Sequence, residues 1–227
     1  MKEDIENWYD EEYWRRFPVW PRRVRQIFAH IELEASDRVC EFGCGLGHNL
    51  FEIRDSIESG LGLDLAKLAV AEAEKTRRRD GIDNLAFEVR NIEALVSQPE
   101  LRDVFTKVLM LDVSEHLYDD TLRGFLASAR HVLVPGGSLW IHTPNAGYYL
   151  EIMKAHGILL RQFPSHIAVR NAGAYVGELE RSGFSVERVL TLPHYRRALG
   201  AVDRPLMRVP WIGRLFRSRL LIEARTA

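Results

Sequence analysis

The chain has 227 residues, 46% of them hydrophobic and 28% charged, with a formal net charge of −1. Single domains run to about 200–250 residues, so this is enough chain for one full core, and multidomain readings start at a disadvantage. A near-neutral balance excludes a global field that would recruit nucleic acid or membrane and leaves only local patches to do so. The opening MKEDIENWYDEEYW is acidic and lacks the apolar core of a signal peptide, and no apolar run is long enough to span a bilayer, so the expected setting is the cytoplasm. Cys40 and Cys44 flank the end of the first strand-like segment, where reduced buried thiols are expected rather than a disulfide.

From about residue 38 strand-like and helix-like segments alternate, the mark of parallel βαβ units with helices on both faces of a sheet. RVCEF predicts a first strand, and HNLFEIRDSI its helix, with Leu50, Ile53 and Ile57 on one face. SGLGLDL is a second strand. AKLAVAEAEKTRRR is alanine-rich and closes on arginines that suit a helix C-terminus, and NLAFEVRN is a third strand. FTKVLMLDV has the near-continuous apolar profile of a buried central strand. In TLRGFLASARHVL a stripe of Leu122, Phe125, Leu126, Ala129 and Leu133 predicts a helix, which Pro135, Gly136 and Gly137 end before the strand SLWIHTP. NAGAYVGELERSGFSVERVLTL predicts a helix capped by Asn171, a stop at Gly183 and a sixth strand, and RLLIEAR a last strand.

Two segments stand outside this rhythm. Residues 1–35 mix Trp8, Tyr9, Tyr13, Trp14 and Trp20 with charge and predict a helical cover segment over a domain of residues 36–227. The insertion NAGYYLEIMKAHGILLRQFPSH, within about 145–168, falls where a lid or substrate wall would sit. Its Tyr148 and Tyr149 suit an aromatic substrate and helix packing about equally.

In open α/β sheets ligands bind beyond the carboxyl ends of the strands, and a glycine-rich turn after the first strand lets a ligand approach bare backbone. Gly43, Gly45 and Gly47 provide such a turn. His48 stands where the dinucleotide fingerprint has its third glycine, and no Gly-Lys-Ser/Thr follows, so nicotinamide, flavin and P-loop chemistry are disfavoured. Glu41 at the strand end would repel a pyrophosphate and attract an ammonium or sulfonium cation, and S-adenosylmethionine carries such a charge. Asp64, with Leu65 beside it, ends the second strand where an acid accepts bonds from ribose hydroxyls. Asn91 and Ile92 follow the third strand and offer an amide and an apolar wall to adenine.

VCEFGCGLGHNL, GLDLA, VRNIEAL, KVLMLDVSEHL and LVPGGSLWIHTPN, in this order and spacing, resemble the successive motifs of class I S-adenosylmethionine-dependent methyltransferases from about residue 36 onward. The resemblance implies an α/β enzyme with a Rossmann-like, mostly parallel seven-stranded sheet whose last strand is antiparallel. It carries cofactor contacts over to Glu41, Gly43, Gly45, Asp64 and Asn91, the last at a position where Asp is common. Gly47, Leu65, Ile92 and Asp112 complete the expected cofactor-binding set.

LMLDVSEHLYDD places Asp112, Glu115 and His116 just after the fourth strand, and a helical turn there would bring all three to one face. Two chemistries compete. His116, with Glu115 beside it, could act as a general base on a substrate hydroxyl. Alternatively, the acids and the histidine, joined by a later histidine, could hold a divalent metal that acidifies a hydroxyl or vicinal diol. The acid-x-x-Glu-His run followed by TPN and a distant histidine is similar to ubiquinone-biosynthesis O-methyltransferases and small-RNA 3′-end 2′-O-methyltransferases. That narrower resemblance implies a metal such as Mg, Mn or Zn on Asp112, Glu115 and His116, with His166 as fourth ligand and His142 as its rival. Metal-free relatives also carry Glu-His here, where the pair orients the cofactor edge. His30, His131, His156 and His194 are expected to be surface or satisfied core residues.

The C-terminal region gathers Arg196, Arg197, Arg204, Arg208, Arg214 and Arg217 around Trp211 and Phe216. A solvated hairpin, a peripheral membrane edge, a nucleic-acid track and a homodimer interface all fit this pattern, and the apolar VPWIGRLF favours a small lipidic or aromatic acceptor over RNA. The expected activity is methyl transfer from S-adenosylmethionine to an oxygen of a small molecule. RNA 2′-O-methylation and a cofactor-binding scaffold without turnover are the alternatives.

Overall fold

Successive side chains of a strand point to opposite faces of a sheet. In the computed structural model, which describes residues 21–226, that alternation divides the core into two layers. The strands are β1 (Arg38–Phe42), β2 (Ser59–Asp64), β3 (Leu85–Val89), β4 (Phe105–Leu111), β5 (Leu133–Pro144), β6 (Phe184–Leu192) and β7 (Arg219–Thr226). They form one sheet in the order β3-β2-β1-β4-β5-β7-β6. β7 runs antiparallel to both neighbours, and the remaining pairs are parallel. The helices are α1 (Pro21–Phe28), α2 (His48–Ile53), α3 (Lys67–Arg79), α4 (Asp119–Val132), α5 (Tyr149–Ala155), α6 (Ala172–Arg181) and α7 (Arg197–Leu206).

On one face Phe42, Met110, Ile141 and Ile222 pack with Leu122 and Leu126 of α4 and Leu179 of α6. On the other, Val39, Leu109, Trp140 and Leu221 pack with Ile27 of α1, Leu50 of α2 and Val70 of α3. β4 is therefore covered on both sides, which is why its sequence is apolar without a break. Each large aliphatic side chain buried this way contributes roughly 1.5–3 kcal/mol.

The expected elements are present with shifted ends. α2 stops at Ile53 and a 3-10 turn, Arg54–Ser56, follows; Ile57 is already extended (φ −133°, ψ 156°), because the chain must turn there into β2. α4 ends at Val132, ahead of Pro135, Gly136 and Gly137. Those residues open β5 instead of stopping the helix, and the β4–β5 register shifts between Phe105 and Lys107. α6 begins as expected, with Asn171 Oδ1 accepting from the Ala174 amide at 2.9 Å, and Gly183 (φ 79°) follows it into β6. Of the expected N-terminal cover segment, residues 1–20 lie outside the described residues. α1 belongs to its remainder and buries Val24 and Ile27.

The strand order reverses between β1 and β4, so the connections leaving their carboxyl ends diverge and open a crevice. Because β7 is antiparallel, its first residue, Arg219, pairs with Pro144 and lies at the same end of the sheet. In β2, an ideal Cβ on Gly62 would sit 2.5 Å from the Phe87 ring and 2.9 Å from Cys44 Sγ. Gly62→Ala should destabilise the fold by about 1–3 kcal/mol through overpacking, seen as a lower denaturant midpoint with an unchanged slope.

Candidate active site

The turn after β1 passes through Gly43, Gly45 and Gly47 at φ 74°, 50° and 75°, a left-handed path that side chains disfavour. The Gly43 and Cys44 amides both donate to the Leu63 carbonyl of β2, at 2.7 and 3.1 Å, which stitches the turn to the neighbouring strand. There is no room for a Cβ on Gly43, which would lie 2.4 Å from Val113 Cγ2. Just before the turn, Glu41 is fully buried on the face that carries α2. Asn49 Nδ2 donates to its Oε1 at 2.6 Å, while Oε2 has no hydrogen-bond partner among the described residues. Burial pushes the Glu41 carboxyl up to about 8, with Asp64 adding to the effect and the Asn49 bond and the Arg23 charge opposing it.

Asp64 does more than wait for a ribose. Its Oδ2 accepts from the Gly45 amide at 2.8 Å and its Oδ1 from the Ala66 amide at 2.9 Å, so it ties the glycine turn to the start of α3. Each oxygen retains a second lone pair for a hydroxyl. Leu65 beside it is half exposed. Asn91 Oδ1 accepts from the Glu93 amide at 3.2 Å and caps the 3-10 turn Ile92–Ser97. The expectation for Ile92 is corrected: it is 3% exposed and packs with Leu95 in the core layer that includes α4, so its side chain is no adenine wall.

At the end of β4 the cluster splits. Asp112 adopts φ 58° and Ser114–His116 forms a 3-10 turn, so the continuous helical face expected for Asp112, Glu115 and His116 does not form. The Asp112 carboxylate instead receives bonds from Arg23 of α1, from His142 Nδ1 of β5 at 2.9 Å and from Arg219 Nη1 of β7 at 3.3 Å. Burial opposes its ionisation, but His142 and the two guanidiniums hold it well below the usual carboxylate range. One ligand atom each of Glu115, His116 and His166 lies within 4.8 Å of the others. Of the four expected metal ligands, Asp112 is therefore not in this group, and His142 is engaged with Asp112 rather than competing with His166.

His116 Nδ1 donates to the Ser165 carbonyl at 2.7 Å, which fixes the tautomer with the lone pair on Nε2. Burial lowers the His116 pKa, and burial plus the neighbouring His116 takes His166 down to about 4, so both rings are neutral at neutral pH. His166 Nδ1 is buried with no hydrogen-bond partner among the described residues. Glu115 is buried, accepts from Thr143 Oγ1 at 3.2 Å, and is pushed up to about 8 by burial and by the Asp112 charge.

Arg170 holds this turn in place. It donates to the carbonyls of Ser114 (2.9 Å), Ala168 (3.0 Å) and Leu117 (2.7 Å) and to the Asp119 carboxylate (2.6 Å). Sequence reasoning missed Arg23, Arg170 and Arg219, whose partners lie up to 107 positions away with no local pattern to connect them. Tyr148 and Tyr149 are accounted for by packing: the Tyr148 hydroxyl donates to buried Asp203 at 3.2 Å, and the Tyr149 ring lies 5.3 Å from Phe216.

Residues 33–182 match the family model of a methyltransferase domain. The chain belongs to this family. The fold agrees: a SAM-dependent methyltransferase from Archaeoglobus fulgidus superposes with a TM-score of 0.70 at 18% identity, covering 95% of this chain and 97% of that one. Geranyl diphosphate C-methyltransferase from Streptomyces coelicolor A3(2), solved with Mg2+, geranyl diphosphate and S-adenosyl-L-homocysteine, gives a TM-score of 0.66 at 15% identity over 91% of this chain and 77% of that one. In sequence, the 23S rRNA (uracil(1939)-C(5))-methyltransferase RlmD of Aliivibrio salmonicida is 27% identical over 88 residues, 38% of this chain; the match spans about a fifth of that protein's length, 20%. Among the described residues no helix of this methyltransferase is long and apolar enough to cross a membrane.

Family and fold together support S-adenosylmethionine as the methyl donor, and the residues present fit it: bare backbone at three glycines and, beside them, a buried carboxylate oxygen that lacks a partner among the described residues. A carboxyl whose folded pKa lies near 8, above about 4.3 in the unfolded chain, stabilises the fold less as pH rises between those values. Glu41→Gln should therefore melt higher than the parent at pH 9, by several degrees or more, and equally at pH 4. It should also bind S-adenosylmethionine about tenfold or more weakly by calorimetry, and parental affinity would remove Glu41 from the cofactor site. Arg170→Lys, which cannot reproduce the forked bonds to the Ser114 and Leu117 carbonyls, should lower kcat by about tenfold or more while the protein stays folded by circular dichroism.

Proposed function

We propose that this methyltransferase moves the methyl group of S-adenosylmethionine to an oxygen of a small aromatic, lipidic or sugar-like acceptor. The observation that carries the reading is the convergence of Glu115, His116 and His166 at the crevice edge. The narrower resemblance to ubiquinone-biosynthesis O-methyltransferases supports it. When bound, the sulfonium supplies a methyl group already activated for displacement, so the protein's work is to align the acceptor and deal with its proton.

His116 is neutral, oriented by the Ser165 carbonyl and able to take a hydroxyl proton on Nε2. Glu115 lies behind the acceptor position as a polar wall, and the 145–168 insertion closes that side, the Ala168 amide donating to the Glu115 carbonyl at 3.0 Å. One carboxylate and two imidazoles also fit a divalent cation, and the carbonyl-bound Nδ1 of His116 is the outer-shell arrangement that metal-bound histidines use. An ion there would acidify an acceptor hydroxyl.

A second reading, RNA base methylation, draws on the partial match to RlmD. Uracil C5 becomes a nucleophile only after another nucleophile adds to the ring, and thiolates serve best. Cys40 and Cys44 are both buried, and burial holds their thiols well above the usual range, so neither is available. This favours the oxygen acceptor.

His116→Ala should cut kcat/KM for a hydroxyl acceptor by about 10²–10⁴-fold. If a metal takes part, His166→Ala should weaken Mn2+ or Zn2+ binding by about 10–100-fold by calorimetry, and chelation should abolish turnover of the parent. Full activity of His116→Ala, or transfer of the methyl group to uracil carbon in RNA, would overturn the oxygen reading.

A further inference from the structure

Beside the crevice, one block of the structure holds large apolar side chains out in solvent. Trp211 is 92% exposed, Leu159 90% and Phe163 64%. Single exposed apolar residues are ordinary, but these occupy the tips of two loops built on the same support. Tyr149 of α5 packs on Phe216, the Tyr148 hydroxyl reaches Asp203 of α7, and Gln162 Nε2 donates to Glu151 of α5 at 3.1 Å. α5 thus binds both the loop that follows it and the segment that follows α7.

The tips are held, not frayed. Trp211 (φ 68°) and Leu159 (φ 59°) both adopt the left-handed conformation that such residues rarely take unless their surroundings impose it. Around Trp211 the Ile212 amide donates to the Pro210 carbonyl at 2.8 Å and the Gly213 amide to Val209 at 2.9 Å. A Cβ on Gly213 would lie 2.5 Å from the Met207 carbonyl oxygen, so the turn closes tightly on its glycine.

The same block is strongly basic. Arg197, Arg204, Arg208, Arg214 and Arg217 are exposed and make no ion pair among the described residues. Asp203 is the single acid between residues 196 and 217, and it is buried under the Tyr148 hydroxyl and the His194 amide, so it does not screen them. Apolar tips joined through α5 to a segment of long cationic side chains, with Arg208, Arg214 and Arg217 beside Trp211, suit an interface where the tips enter the head-group layer and the guanidiniums meet phosphates. Nucleic acid would use the arginines but not Leu159 or Ile212, and a second copy of the same face would set arginine against arginine.

We propose that α7, the Met207–Arg217 segment and the loop after α5 form a face that docks on the surface of an anionic lipid bilayer. The inference does not depend on the acceptor being an oxygen. It places the crevice against the membrane, since Phe163 at one tip lies 5.4 Å, ring to ring, from His166 of the site.

The test is cosedimentation of the full chain with vesicles of phosphatidylcholine alone and of phosphatidylcholine with about a third phosphatidylglycerol, across a salt series. Binding should require the anionic lipid and weaken as salt rises. The double variant Leu159→Asp/Trp211→Asp should lose roughly tenfold or more of that binding. Aspartate tolerates the left-handed conformation, so this variant should melt as the parent does. Arg208→Gln/Arg214→Gln should flatten the salt dependence. Failure to bind either vesicle, equal binding by the Asp variant, tight RNA binding that these substitutions abolish, or a dimer that the Asp variant dissolves would each overturn the proposal. None of these outcomes touches methyl transfer to a soluble acceptor, so the two readings fail separately.

Discussion

A single ionised carboxylate, Asp112, joins four parts of the molecule. It directly follows β4, and its oxygens are shared by Arg23 of α1, His142 of β5 and Arg219 of β7. Breaking a buried pair of this kind costs about 3–5 kcal/mol, because the partner charges stay behind without compensation. Here two guanidiniums would remain, so one side chain contributes both to the attachment of α1, beside its buried Val24 and Ile27, and to the seating of β7's first residue, beside its strand pairing. The strained φ of Asp112 is stabilised by the bonds that its orientation permits.

Three of the crevice's acids, Asp112, Glu41 and Glu115, divide the electrostatic labour. Asp112 is ionised and saturated with partners, whereas Glu41 and Glu115 are held near 8 by burial. Glu41 keeps an oxygen without a partner among the described residues at the glycine turn, where a cationic ligand would repay its ionisation. Glu115 stands with two neutral imidazoles, a set with donors and acceptors but little net charge. Acids of similar chemistry, within one crevice, are thus set to different charge states by what surrounds them.

Much of this could be read from the residues. The strand periodicity, the glycine turn, the Asn171 cap and the apolar stripe of α4 are local signals, and local signals survived folding. What failed was reasoning by extrapolated regularity. A helical spacing applied to Asp112, Glu115 and His116 put the three on one face, but the chain takes a left-handed step at Asp112 first. Ile92 follows a strand end as a ligand wall would, yet its spacing to Leu95 serves the core. Arg23 and Arg219 were out of reach because an ion pair closed over 89 or 107 residues leaves no trace in either neighbourhood.

β7 follows β6 along the chain but lies inside it in the sheet, hydrogen-bonded to both β5 and β6. During synthesis β6 therefore emerges with no neighbour to pair with, and the flank of β5 stays open until about thirty further residues have left the ribosome. For that interval the nascent chain displays two naked edges suited to stray strand pairing. Insertion of β7 seals both at once, so completion of the sheet is a late and all-or-nothing event rather than a steady accretion from one end.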